Sequence, residues 1–173
     1  MANYGFGVGG VGDFNLSYVG TYLFDLTTKP LPTSGDEDIY DCVGFYGAAC
    51  GAPNPEYRHK VDLALVPNND KFGARVTWRY YDSVAIAQSS TQEALAGSFA
   101  ARNENFASQN YFDVSGSYMM NDTLSFRLGV NNIFDREPPL SSVVGTAPGN
   151  GNTYPQVYDA FGRYVFMGAT VDF

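Results

Sequence analysis

The sequence ends on a run of strict alternation. Residues 157–173 read VYDAFGRYVFMGATVDF, and stepping back from the C-terminus by twos gives Phe173, Val171, Ala169, Met167 and Val165, all apolar. Between them stand Asp172, Thr170, Gly168, Phe166 and Tyr164, which become smaller and more polar toward the end. Period two over this length is a strand with one greasy face and one wetter face. It runs to the last residue, where a chain frays unless something ties it down.

The same pattern recurs upstream. Residues 13–27 place Phe14, Leu16, Tyr18, Gly20, Tyr22, Phe24 and Leu26 on one face and mostly Asp, Asn, Ser and Thr on the other. Such a stretch is longer than the roughly 9–11 residues a tilted strand needs to cross a bilayer. Residues 57–66 alternate again, with His59 on the apolar face, read as an interface residue rather than a catalyst. Phe72, Ala74, Val76, Trp78 and Tyr80 then oppose Arg75, Thr77 and Arg79. Two further strands span 111–120 and 124–131, and residues 3–8 form a strand stub. Gly7, Gly9 and Gly12 formally match a dinucleotide fingerprint, but that mechanism needs a helix N-terminus next, and alternation follows instead.

Composition agrees with strands in an apolar setting. Aromatic residues make up 16% of the chain, with 13 Tyr and 13 Phe, and charged residues also only 16%. An average soluble domain carries about 25% charged residues. Tyr, Phe and Gly with few charges suit strands whose rings sit at a membrane–water interface. No apolar run is long enough for a transmembrane helix, so a membrane reading rests on strands. The N-terminus lacks a basic and an apolar region, which implies a processed chain or a piece of a longer one. The net charge of −8 argues against a nucleic-acid partner.

Half of that excess lies in residues 28–56, where Lys29 faces Asp36, Glu37, Asp38, Asp41 and Glu56. This stretch reads as a long wet loop, and it holds both cysteines, Cys42 and Cys50. Their closeness with no other cysteine in the chain points to a local disulfide in an oxidising compartment, with free thiols as the alternative. A zinc site needs more ligands than one histidine and two cysteines supply, so no metal and no cofactor are expected.

Connections alternate short and long: 9–12, then 28–56, 67–70, 82–108, 121–123 and 133–156. A short helix over 90–96 is expected inside the second long loop. Outer-membrane barrels have short periplasmic turns and long extracellular loops, with apolar residues outward and polar ones inward. The expected fold is therefore all-β: an antiparallel transmembrane β-barrel segment of about six full strands plus the N-terminal stub.

The C-terminal strand with Gly168, Val171 and Phe173 resembles the signal that barrel-assembly machinery reads in bacterial outer-membrane barrels, although Met167 stands where that pattern has a polar residue. More specifically, residues 126–139, FRLGVNNIFDREPP, resemble the penultimate strand and following loop of TonB-dependent receptors. Residues 152–155 and 158–164 are similar to that family's closing segment, and the cysteine loop leading to Tyr57, Arg58 and His59 is also similar. The resemblance implies a barrel of about 22 strands that imports a scarce nutrient, such as a ferric siderophore, haem, cobalamin or an oligosaccharide. Residues 1–173 then correspond to the C-terminal third of such a barrel, without its plug domain. The partners implied are the remainder of the barrel and plug, in the same or a second chain, the assembly machinery, outer-membrane lipid, and TonB through the plug. Open strand edges in lipid cost several kcal/mol per unpaired group, so the edges require a partner.

Three functions compete. The first is part of a transporter, in which Tyr40, Phe45 and Tyr46 of the cysteine loop touch substrate or simply pack around the disulfide. On this reading Arg75, Arg79 and Arg127 line the lumen, meeting anionic groups or pairing with lumen carboxylates. The second is a small self-assembling or partner-pairing outer-membrane module without transport. The third, a soluble enzyme, lacks a nucleophile–base pair, and Asp135 and Glu137 read as turn residues. No catalytic residue is assigned.

Overall fold

The computed structural model describes residues 1–33, 35–68, 71–144 and 151–172. Twelve strands occur among them. In the first half these are β1 (Ala2–Val8), β2 (Gly12–Tyr22), β3 (Thr27–Thr28), β4 (Tyr40–Asp41), β5 (Phe45–Tyr46) and β6 (Tyr57–Pro67). The second half adds β7 (Phe72–Tyr81), β8 (Val84–Ile86), β9 (Asn105–Phe106), β10 (Gln109–Met119), β11 (Leu124–Asn131) and β12 (Tyr164–Val171).

The long strands form one 7-stranded sheet in the order β1-β2-β6-β7-β10-β11-β12. Every pairing in it is antiparallel. Each strand lies beside its sequence neighbour within the sheet, the arrangement expected of a barrel wall cut out of its circle. The short connections 9–11, 68–71 and 120–123 share one end, and the long ones share the other.

Register keeps the two faces separate. The row Leu65, Ala74, Gly116, Leu128 and Met167 is apolar across five strands. The row Asp62, Thr77 and Asp113 lies on the opposite face. A slip of one residue would exchange these faces, so the alternation itself pins the pairing. On the apolar face aromatic rings gather in two bands. Toward the short turns Phe6 stacks on Phe14 and Phe72 on Tyr118, with centroids 5.2 and 4.8 Å apart. Toward the long loops His59, Trp78, Tyr80 and Phe112 form the second band. Phe72 and Trp78 are six positions apart on one strand, about 20 Å at about 3.3 Å per residue, close to the apolar height of an outer-membrane barrel. Large apolar side chains between the bands stay exposed, Met167 at 86% and Leu128 at 58%. Glycine is obligatory at position 12, where φ is 144° and a Cβ would lie 2.3 Å from the Val66 carbonyl oxygen.

Several elements differ from the sequence expectation. The stub is a full strand, since β1 pairs with β2 from Ala2 opposite Tyr18 to Val8 opposite Gly12. The strand expected over 13–27 ends at Tyr22; the Leu23 N–H still donates to the Glu56 carbonyl (2.8 Å), and then Thr27–Thr28 turns to pair with Tyr40–Asp41. The closing strand begins at Tyr164 rather than at 157. Upstream of it the Val157 and Tyr158 N–H groups both fold back onto the Tyr154 carbonyl (2.9 Å each), and Gly162 at φ 67° breaks extension. The helix expected over 90–96 is a single turn, with the Leu95 and Ala96 N–H groups sharing the Gln92 carbonyl (3.0 and 2.9 Å). The turn 67–70 is described only to Asn68, and Phe173 lies outside the described residues.

Candidate functional site

Two features sit where a barrel's function resides: the polar face of the sheet and the cap that the long loops build over its end. The polar face holds a cavity of about 510 Å³ whose lining includes Lys60, Arg75, Arg79, Asp113, Arg127 and Phe166. Alternation places these residues, because every second side chain of β6, β7, β10 and β11 points to one side. Lys60 lies 3.1 Å from Asp62, which also accepts from the Thr77 hydroxyl (2.5 Å). Arg127 rests over the Phe166 ring at 4.9 Å. Gly129 makes that possible, since a Cβ there would lie 2.3 Å from the Phe166 ring.

Arg79 is committed differently. Its Nε and Nη2 donate to Asp113 (3.0 and 3.1 Å), and its Nη1 and Nη2 donate to Asp159 (2.8 and 2.6 Å). The guanidinium also lies 5.1 Å from the centroid of the Tyr111 ring. Two bidentate, partly buried carboxylates on one guanidinium are a strong, geometrically exacting clamp. Asp159 belongs to the loop between β11 and β12, so Arg79 fastens that loop to the wall. Of the three arginines assigned to the lumen, Arg75 is exposed on the polar face and Arg127 is stacked there, while Arg79 is used up in holding a loop.

The same loop is knotted at its start. Asn132 is fully buried, with φ 51°. Its N–H donates to Asp113 (2.8 Å), its Nδ2 donates to the Arg136 carbonyl (2.9 Å), and its Oδ1 accepts the Arg136 N–H (2.8 Å). Asparagine tolerates the left-handed region and can bond its own backbone neighbours, which no aliphatic residue could do here. Asp135 continues the knot by accepting the Arg163 N–H (2.8 Å). The Asn-Asn-Ile-Phe-Asp-Arg segment singled out by resemblance is therefore a loop-folding device.

Above the wall, the three long loops share one hydrophobic core. Tyr46, Val84, Ile86, Phe106, Tyr111, Tyr154 and Tyr158 are buried together. Phe106 stacks on Tyr46 at 4.1 Å, and Tyr154 meets Tyr46 edge-on at 5.9 Å. The Tyr46 hydroxyl donates to the Asn103 carbonyl (2.5 Å). A second small sheet runs through the cap: β5 pairs in parallel with β8, and β8 antiparallel with β9. Burial pushes the phenols of Tyr46 and Tyr158 above their ordinary range and that of Tyr154 up to about 12.

Cys42 and Cys50 are joined by a disulfide with a Cα–Cα distance of 5.4 Å. Closing so short a loop contributes roughly 2–3 kcal/mol in the chain-entropy picture. Tyr46, expected among the substrate-touching residues, has 0% exposure. It cannot meet a solute in this conformation, because its ring is the centre of the cap core. Tyr40 and Phe45 remain half-buried, Tyr40 pairing with Thr28 and Phe45 with Ala85. Gly168 and Val171 lie on β12, opposite Arg127 and Leu124. His59 is ringed by Tyr18, Tyr57, Trp78 and Tyr80 on the apolar face, and neither of its nitrogens finds a hydrogen-bond partner among the described residues.

Sequence reasoning gave no role to Asp113, and none to Asn132 and Asp159 individually, although both stand in segments quoted for the resemblance. Asp113 was recoverable, because alternation puts it on the polar face of a strand beside β7. Asp159 was not, since it lies 80 positions from Arg79 in a loop without periodicity.

No protein-family model matches this chain, and no curated protein does. Among solved structures it is similar to the ferric enterobactin receptor of Pseudomonas aeruginosa in two mutant forms. One is 17% identical with a TM-score of 0.61, covering 96% of this chain and 20% of that one. The other is 14% identical, also at 0.61, covering 99% and 21%. A copper transporter matches at a TM-score of 0.48 and 14% identity. The chain thus spans about a fifth of the length of the receptors it resembles. At this identity the likeness is one of fold: an antiparallel all-β sheet of the outer-membrane receptor-barrel kind, not closed on itself within these residues.

Proposed function

We propose that residues 1–173 are the C-terminal part of the barrel wall of a TonB-dependent outer-membrane receptor, which takes up a scarce nutrient. The observation that carries this reading is the sequential seven-stranded sheet, with long connections gathered at one end and an exposed apolar face bounded by two aromatic bands. A sheet of this kind does not bury its apolar face in water, and its outermost strands β1 and β12 each have one unpaired edge. Further strands of the same barrel satisfy those edges, which in lipid cannot stay open. A plug in the lumen, TonB acting through that plug, and the barrel-assembly machinery reading β12 complete the proposed partners.

In this reading the wall does not catalyse. It confines a solute path, and the cap over its extracellular end, disulfide included, shapes the mouth. Arg75 and Arg127 are the lumen cations open to an anionic solute or a lumen carboxylate. Tyr40 and Phe45 are the loop residues placed to touch a solute, as Tyr46 is not.

The test is the mass and composition of the particle extracted from outer membranes in mild detergent, before and after denaturation. A particle containing additional wall and a plug, on the same chain or another, supports the proposal. A particle made only of copies of these 173 residues overturns it in favour of a self-assembling module.

A further inference from the structure

The apolar face of the wall is not evenly studded with large side chains. Between β7, β10, β11 and β12 it sinks into a groove of about 710 Å³, lined by Phe72, Gly116, Tyr118, Phe126, Leu128 and Met167. Register shows why. One row across the sheet reads Ala74, Gly116, Leu128, Met167, and the next row toward the short turns reads Phe72, Tyr118, Phe126, Ala169. Small residues at Gly116 and Ala169 thus make the floor, and rings and long side chains make the rims.

Gly116 is the informative member. A glycine inside a strand weakens it and commonly marks the close approach of a ligand or another backbone. Nothing within the chain demands it. Its φ is not in the left-handed region, and a Cβ there would meet only the Gly73 carbonyl oxygen, at an ordinary 3.6 Å. A larger apolar residue would fit and would strengthen the strand. The space is therefore left open on the outer side of the wall.

We propose that this groove holds an acyl chain of a phospholipid from the leaflet on the short-turn side. The proposal rests on the membrane-wall reading above. The groove runs from the short-turn aromatic band, to which Phe72 and Tyr118 belong, toward Leu128 and Met167 in the middle of the apolar face, where on this reading the surroundings are hydrocarbon. Its side-chain lining on that face is apolar; Arg127 and Ser117 contribute backbone there and point to the polar face. The Tyr118 phenol stands at the short-turn rim, the level at which tyrosine meets lipid head groups. No polar group on the floor could recognise a charged solute, whereas a methylene chain needs none, gaining about 0.8 kcal/mol per buried CH₂.

The experiment uses the complete receptor containing this chain, purified in mild detergent, with retained phospholipid counted by native mass spectrometry. G116L fills the groove and is expected to lose the tightly retained phospholipid. S125L adds bulk to the polar face of β11, outside the groove, and is expected to keep it. Should G116L fail to assemble, A169L fills the floor from β12 and carries the same expectation. Heat-modifiable migration on gels checks the barrel separately, so a correctly folded barrel whose lipid count is unchanged by filling overturns the groove alone. A receptor that purifies as a dimer, and becomes monomeric with G116L while its lipid count stays constant, also overturns it and gives the face to a second copy.

Discussion

The wall and the cap of this molecule are built on opposite rules. In the wall Met167 and Leu128 stand exposed, and stability comes from ladders and from what lies outside the protein. In the cap Tyr46 and Ile86 are buried at 0% and 1%, around a core that any small water-soluble domain could own. The wall has two unlike faces and no core of its own; the cap has a true core. Two wall residues join them: Tyr111 of β10, buried in the cap core, and Arg79, whose second carboxylate, Asp159, comes from the cap. The lesson is that loops at a barrel mouth need not be loose binding fingers. Three of them here pool apolar side chains until they form a folded unit, and the wall pins it in place.

The largest effect should come from cutting that joint. Arg79→Ala leaves Asp113 and Asp159 facing each other without a cation; the loss approaches the lower end of the roughly 3–5 kcal/mol for a fully buried pair, since these groups are only partly buried. Hydrogen exchange should rise across residues 132–144 and 151–163, while amides in β2 and β6 keep their protection. Equal loosening of both regions would mean that they are one cooperative unit. Next in size, Leu128→Arg places a charge on the apolar face of the wall, which costs about 2–4 kcal/mol if that face meets a bilayer near its midplane. Ser125→Arg on the polar face should be close to neutral. Chemical denaturation of the membrane-inserted barrel separates the two variants, and similar losses would deny the assignment of faces.

The smallest effect separates the regions by pH. A buried phenol with a raised pKa holds its proton longer than in the unfolded chain. Its contribution is whole below about pH 10 and fades as pH climbs past it. With Tyr154 near 12 and Tyr46 and Tyr158 also raised, the cap should loosen between about pH 10 and 12. Near-UV circular dichroism should change there while the far-UV strand signal persists. Simultaneous loss of both signals would contradict independent stability of cap and wall.

The wall was legible in the sequence because period two is a local property. Leu124 through Asn131 announce a two-faced strand without any knowledge of neighbours, and β11 has those bounds. Legibility failed where tertiary pairing overrides alternation. Tyr158 looks like strand and instead feeds the cap core, and Phe24 continues the pattern of β2 after that strand has ended. The cap was almost illegible. Two-residue strands such as Phe45–Tyr46 carry no period, and the aromatic residues that unite them come from three separate loops. The arginines of the polar face were legible as a group but not as individuals. Contacts with Asp113 and Asp159 distinguish Arg79 from Arg75 and Arg127, and neither carboxylate is marked out by the alternation of β7 itself.

The meander order of the sheet also bears on how such a wall is put together. The pairs β1–β2, β6–β7 and β10–β11 are joined by short turns, so each can zip as a hairpin on its own within microseconds. β12 has no such companion and must find β11 across residues 132–163. Loop-closure cost rises only by about 0.6 kcal/mol for each doubling of length, but the search is slower than a hairpin's. The Asn132 knot and the Arg79–Asp159 clamp shorten the free part of that tether from both ends. They act as guides that raise the local concentration of the final strand at its docking edge. Weakening either one should slow closure of the last hairpin while leaving the earlier three to form at their own pace.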